Sequence, residues 1–191
     1  MQTVLFFGSF NPIHIGHIAL AGYVVENCGF DNLWFVVSPQ NPLKEKTNLA
    51  PDKLRLQMVE LAVANHSNKL KVCDDEMNMP RPSFTVNTLR VLKEKYPKHT
   101  FSVLMGADSM DTITQWKDYK NLLENNRILV YPRIGSDIKR IPKEYSVEIL
   151  NAPILEISST FIRGCIKEGK DVSYYMPHGA HSYLVENSVY K

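Results

Sequence analysis

Two short runs constrain the chain more than anything else in it. Val4-Leu5-Phe6-Phe7 is closed by Gly8, and Leu33-Trp34-Phe35-Val36-Val37 is closed just before Pro39. A run that is apolar at every position and only four or five residues long is too short for a buried helix. It reads instead as a strand covered on both faces. Such strands belong to a parallel sheet with helices on both sides, and the rest of the chain keeps that rhythm. A helical pattern over His14–Asn27 stops before Gly29, and a proline-bearing loop runs from Gln40 to Pro51. Asp52 stands ready to cap a helix over Lys53–Ala64 whose apolar face is Leu54, Met58, Leu61 and Ala62.

Strand-like segments then recur at Leu70–Cys73, Thr100–Met105 and Arg127–Tyr131, with Val147–Leu150 as a further short one. Between them lie a helix through Tyr96, capped by Ser83 or Thr85, and a helix capped by Asp108 that contains Trp116. Helices over Ser159–Lys167 and Ala180–Glu186 close the chain. The expected class is α/β, a doubly wound, mostly parallel sheet with a small C-terminal helical part. With 191 residues and no linker-like or repeated tract, residues 1–191 are expected to form one domain.

Charge and cysteine content narrow the function classes. Twenty-two Lys and Arg against 20 Asp and Glu leave a net charge of +2, so no general nucleic-acid-binding surface is expected and phosphate binding has to come from particular loops. Cys28, Cys73 and Cys165 are scattered and show no CxxC spacing, which points to reduced thiols in a cytoplasmic protein. No apolar run reaches the roughly 20 residues of a membrane span, and Met1 to Phe7 lacks the basic flank and cleavage pattern of a signal peptide.

The chemistry concentrates in the turn after the first strand, Gly8-Ser9-Phe10-Asn11-Pro12-Ile13-His14-Ile15-Gly16-His17. In an open α/β sheet, ligands bind at the carboxyl ends of strands, where helix N-termini offer N–H groups to anions. Gly8 allows close backbone approach, and Gly16 between the histidines leaves the helix surface bare for a ligand. His14 and His17 are open to three readings: zinc ligation, for which no third ligand follows; packing or capping; and donation to phosphate oxygens. A second cluster, Ile157-Ser158-Ser159-Thr160-Phe161-Ile162-Arg163, opens a helix with hydroxyls and places Arg163 one turn along, where its guanidinium can fork onto phosphate. By itself that is equally an N-cap followed by a surface arginine. Neither GxGxxG nor GxxxxGK[ST] occurs, which speaks against dinucleotide-binding dehydrogenases and P-loop kinases.

Taken together, the HxGH sequence at His14–His17 and the ISSTxIR sequence at Ile157–Arg163 resemble the HxGH nucleotidyltransferase superfamily. Class I aminoacyl-tRNA synthetases share HxGH, but 191 residues leave no room for a tRNA-reading domain. Intermediate segments resemble the bacterial nicotinate-nucleotide adenylyltransferases: the lysine-bearing loop Pro39-Gln40-Asn41-Pro42-Leu43-Lys44, the stretch Pro82–Leu89, the GADS turn at Gly106–Ser109, and Trp116-Lys117. The chain departs from that family where Phe7 replaces the first glycine of the opening turn and where Pro132-Arg133 stands in place of Arg-Pro-Gly.

The resemblance implies a Rossmann-like nucleotidyltransferase fold and transfer of AMP from ATP to nicotinate mononucleotide, with Mg2+ carried on the ATP phosphates. It implies that His14 and His17 contact those phosphates, that Ser159 and Arg163 hold the leaving β and γ phosphates, and that Lys44 adds charge. Gly8, Ser9 and Phe10 would line the nucleotide through their backbone. Asp108 would accept ribose hydrogen bonds or merely cap its helix. Trp116 would stack on the pyridine ring rather than fill the core, Thr85 would bind the ring carboxylate, and Arg133 would reach a substrate phosphate. The live alternatives are transfer to nicotinamide mononucleotide or another phosphate acceptor, and a non-catalytic nucleotide-binding module. A nucleic acid or membrane partner is not expected, and a homo-oligomer stays open.

Overall fold

The structure is a computed structural model that describes residues 1–40, 49–133 and 145–190. Six parallel strands make one sheet in the order β3-β2-β1-β4-β5-β6: β1 (Gln2–Gly8), β2 (Asn32–Val37), β3 (Leu70–Cys73), β4 (Thr100–Gly106), β5 (Arg127–Tyr131) and β6 (Val147–Ile149). The helices are α1 (Ile15–Asn27), α2 (Asp52–Val63), α3 (Thr85–Lys95), α4 (Ala107–Asp111), α5 (Tyr119–Glu124), α6 (Ser159–Lys167) and α7 (His178–Glu186). Among the described residues no helix is long and apolar enough to cross a membrane.

The continuous apolar runs have the expected cause. Along β1 and β2, Val4, Phe6, Leu33, Phe35 and Val37 join the core under α1, α2, α6 and α7. The alternate residues Leu5, Trp34 and Val36 join the core under α3, α4 and α5. A pleated strand sends successive side chains to opposite faces, so a strand covered on both faces needs an apolar residue at each position. Since β1 winds to β2 on one side while β4 pairs with it on the other, a crevice opens at the carboxyl ends of β1 and β4.

Three local expectations are corrected. Asp52 is the first residue of α2 rather than its cap, and its carboxylate pairs with Arg55 and Arg81. The buried face of α2 is Arg55, Met58, Val59 and Ala62, with Leu54 only packed at its edge. Phe84, not Ser83 or Thr85, is the N-cap of α3, and the Ser83 hydroxyl is turned to Glu76 instead, to which it donates at 2.7 Å. The thiols of Cys73 and Cys165 are buried and that of Cys28 half-buried, all three free; burial pushes the Cys73 thiol up to about 12.

Arg55 has no exposed surface. Its guanidinium donates to the carbonyls of Ala50 (2.9 Å), Ser9 (2.5 Å), Ser38 (2.8 Å) and Pro39 (3.0 Å), and to the Asp52 carboxylate at 2.6 Å. The loops that leave β1 and β2 are thereby tied to one side chain. Replacing it orphans four carbonyls and leaves the half-buried Asp52 carboxylate with Arg81 alone. Arg55→Met should therefore cost about 3–5 kcal/mol of unfolding free energy, and Arg55→Lys, which lacks the planar fork, should recover only part. Urea unfolding measures this; an unchanged midpoint in Arg55→Met would show that the carbonyls find other partners.

Candidate active site

A cleft of about 810 Å³ occupies the crevice. Its floor is the end of β1 and the turn into α1, one wall is the strip leading into α6, and the other carries Asp108 and Arg133 from the ends of β4 and β5. The turn is shaped by Phe10, a non-glycine residue at φ +44°, whose buried ring stands edge-on to Phe35 and Phe6. That ring folds back over Gly8, where a Cβ would lie 2.7 Å from it, so only glycine fits. A left-handed conformation at a bulky residue is costly and persists where packing over-determines it. Here the Phe10 ring and the Arg55 bond to the Ser9 carbonyl do so.

His14 is the N-cap of α1 and His17 its third residue. Their rings stack 3.6 Å apart, and the His14 backbone N–H donates to His17 Nδ1 at 3.2 Å. With Nδ1 accepting, the proton of neutral His17 sits on Nε2. The His17 ring is held edge-on to Phe10 at 5.1 Å. His14 is buried, and its Nδ1 has no hydrogen-bond partner among the described residues. Burial first, and the charge of Arg133 second, pull the His14 imidazole down to about 4. Gly16 lines the cleft, and the His14 ring lies 3.1 Å from where its Cβ would be, so a side chain there would crowd the imidazole.

The second cluster folds onto the first. Ser158 caps α6, its hydroxyl accepting from the Phe161 N–H at 3.1 Å. Ser159 Oγ donates to the Pro12 carbonyl at 2.8 Å, and Arg163 Nη1 donates to the Asn11 carbonyl at 2.8 Å. Asn11 in turn accepts from the Ala50 N–H and from the Tyr190 hydroxyl at 2.6 Å. Ser159 and Arg163 line the cleft while bracing the turn that carries the histidines.

A smaller cavity of about 160 Å³ adjoins the cleft, lined by Phe84 and Thr85 at the start of α3 and by Trp116 and Lys117. Trp116 lies outside the helices, in extended backbone between a 3-10 turn (Ile113–Gln115) and α5, which corrects the expected tryptophan helix. Its ring is half-buried against the core under α3–α5 and its Nε1–H has no partner among the described residues. Glu76, buried beside this cavity, accepts from both Ser83 Oγ and Thr88 Oγ1 at 2.7 Å. Neither hydroxyl caps α3, so the first-turn N–H groups of that helix receive no side-chain cap.

The crevice thus brings together Gly8, Ser9, Phe10, His14, His17, Asp108, Arg133, Ser159 and Arg163, while Thr85 and Trp116 line the smaller cavity. Asp108 is the second residue of α4 and not its cap; its Oδ1 folds back to Gly106 and lies 3.7 Å from Arg133 Nε. Arg133 therefore stands in the larger cleft and not around the smaller cavity. Lys44 lies outside the described residues. Sequence reasoning missed Arg55, Glu76, Tyr190 and the place of Lys117. Lys117 follows a tryptophan already singled out, whereas a buried arginine or glutamate carries no local signal.

Residues 5–164 match the cytidylyltransferase-like family. The probable nicotinate-nucleotide adenylyltransferase of Flavobacterium johnsoniae is 46% identical over the full length of both chains. That of Bacteroides fragilis is 41% identical over 98% of this chain and 92% of its own. Among solved structures, the Plasmodium falciparum nicotinic acid mononucleotide adenylyltransferase complexed with NaAD superposes with a TM-score of 0.81 at 22% identity, covering 99% of this chain and 97% of its own, and so supports the fold. An α/β sheet with HxGH and ISSTxIR meeting in one crevice, together with relatives of this identity and coverage, places the chain in the cytidylyltransferase-like family and, within it, among the nicotinate-nucleotide adenylyltransferases.

Proposed function

We propose that the protein transfers the adenylyl group of ATP to nicotinate mononucleotide, forming nicotinate adenine dinucleotide and pyrophosphate, as a cytoplasmic enzyme of NAD biosynthesis acting through one domain. The observation that carries this reading is that the large cleft and the small aromatic cavity share Phe7, Gly8, Ser9, Gly106 and Ser109. Two compartments that open on one another suit two substrates held for direct reaction, one of them a flat ring.

In this mechanism a phosphate oxygen of the mononucleotide attacks the α-phosphorus of ATP in line with the departing pyrophosphate oxygen. One P–O bond forms and one breaks. The attacking phosphate is already an anion, so no general base is required, and the acceleration comes from positioning and charge stabilisation. His17, with its proton on Nε2, donates to the phosphate oxygens at the reacting centre, and His14 donates beside it. Arg163, Ser159 and the N-terminus of α6 take the β and γ phosphates, with Lys44 adding charge. Gly8, Ser9 and Phe10 approach the nucleotide through their backbone, and Asp108 accepts from it. Arg133 meets the mononucleotide phosphate where the two compartments join, while Trp116 stacks on the pyridine ring and Thr85 receives its carboxylate. The donor set fits a Mg2+ ion carried on the ATP phosphates rather than a protein cage: among the described residues no group of three or more His, Cys, Asp and Glu converges. When bound, the ion supplies further neutralisation of phosphate charge.

The deciding experiment measures pyrophosphate release from ATP with nicotinate mononucleotide and with nicotinamide mononucleotide in parallel. Release with nicotinate mononucleotide is expected, and release with neither overturns the reading. His17→Ala should lower kcat by about 10²–10³, the usual cost of one preorganised donor; wild-type turnover would remove His17 from the reaction.

His14 gives a pH signature. Its folded pKa of about 4 lies below the 6.5 of an unperturbed histidine, so between these values the unfolded chain binds a proton that the folded chain does not. Stability is therefore fully present above pH 6.5 and declines as pH falls toward 4, by about 3 kcal/mol across the window. His14→Gln should flatten that decline in urea titrations at pH 4.5 and 7, and an acid slope equal to wild type would assign the loss to other groups.

A further inference from the structure

We propose that Lys117 is a specificity-determining residue that selects a carboxylate over an amide on the ring entering the smaller cavity. The inference rests on the proposed function and deepens it.

A pyridine carboxylate and the matching carboxamide are nearly isosteric, so shape does not separate them. Both offer a carbonyl oxygen to the uncapped N–H groups at the start of α3, so that helix end distinguishes them only in part. A whole charge does so directly. Around the cavity the charged side chains are Glu76 and Lys117. Glu76 is buried, and both its oxygens accept hydroxyl protons, from Ser83 and Thr88. Its effect alone runs the wrong way, since an anion beside the cavity favours the neutral amide.

Lys117 reverses that balance. Its Nζ stands 4.6 Å over the Phe84 ring, on the residue that caps α3 and next to Thr85. The aromatic face holds the ammonium near the cavity without neutralising it. Among the described residues no carboxylate pairs with Lys117. The nearest acid in sequence, Asp118, is engaged by the Asn121 side chain at 2.8 Å. Lys117 is exposed and outside the core, so replacing it leaves the fold intact.

The test compares Lys117→Met and Lys117→Arg with wild type in the full-length enzyme. The readouts are kcat/KM for nicotinate mononucleotide and for nicotinamide mononucleotide, and KM for ATP. Where turnover of the amide is too slow to follow, its inhibition constant against the acid replaces the second readout. Lys117→Met is expected to lower kcat/KM for the acid roughly 10-fold, as for loss of one exposed charge-assisted contact, with the amide and ATP constants within about twofold. Lys117→Arg should retain most of the preference. A preference that survives Lys117→Met, or an equal loss for acid and amide, overturns the assignment while leaving the proposed function standing. A wild-type enzyme inactive with both mononucleotides overturns the function and this inference together.

Discussion

The buried guanidinium of Arg55 is the constraint on which the site depends. At the carboxyl ends of β1 and β2 the chain has left the sheet ladder, and its carbonyls need partners that water cannot supply in a closed interior. Arg55 provides them for Ser9, Ser38, Pro39 and Ala50 at once, and Asp52 balances its charge. An arginine suits this place because five donors in a rigid fork reach several acceptors without rearrangement. Fixing the Ser9 carbonyl also fixes the left-handed turn at Phe10, and the Phe10 ring then fixes His17. A residue on α2 with no surface in the cleft thereby sets the angle of an imidazole that does line it.

Coupling continues across the crevice. Ser159 and Arg163 lie about 150 residues beyond the first turn, yet they donate to the carbonyls of Pro12 and Asn11. The half-buried Tyr190 hydroxyl, whose pKa desolvation raises above that of a free phenol, holds the Asn11 side chain from near the end of the chain. Arg163, whose guanidinium keeps further donors for the phosphate it is expected to meet, is thus also a strut of the turn, whereas the single Ser159 hydroxyl proton is spent on Pro12. A group that serves both purposes is oriented before the ligand arrives, which is the condition for electrostatic stabilisation without reorganisation. Substitution of Arg163 will therefore mix two effects, lost phosphate contact and a loosened turn.

The strands were legible because each is a short apolar run ended by a turn residue, and the two clusters that meet in the cleft because each is contiguous in sequence. What was not legible lies in residues whose partners are remote. Arg55, Met58, Val59 and Ala62 fall at i, i+3, i+4 and i+7, a regular helical stripe. Reading arginine as a surface residue removed the first member of that stripe and substituted Leu54 and Leu61, rotating the apparent face of α2. Ser83 was read as a helix cap for a related reason. A hydroxyl before a helix usually turns toward its first-turn N–H groups, and only the fold brings Glu76 close enough to orient it elsewhere. Trp116 was placed in a helix because its neighbours have helical character, whereas the chain there makes a short 3-10 turn and opens, presenting the indole to the cavity.

The electrostatics of the crevice follow from the same burial. With its imidazole held near 4, His14 is neutral through the physiological range and is a hydrogen-bonding group rather than a source of charge. The neighbour that helps keep it so is Arg133, itself in contact distance of Asp108 at the rim. Positive charge in the cleft then resides in arginines, which do not titrate, and in the N-termini of α1 and α6. A chain of net charge +2 has no broad field with which to draw in a polyanion. It compensates by placing a few permanent cations where phosphates would lie and by keeping beside them a neutral His14 imidazole that does not repel those cations.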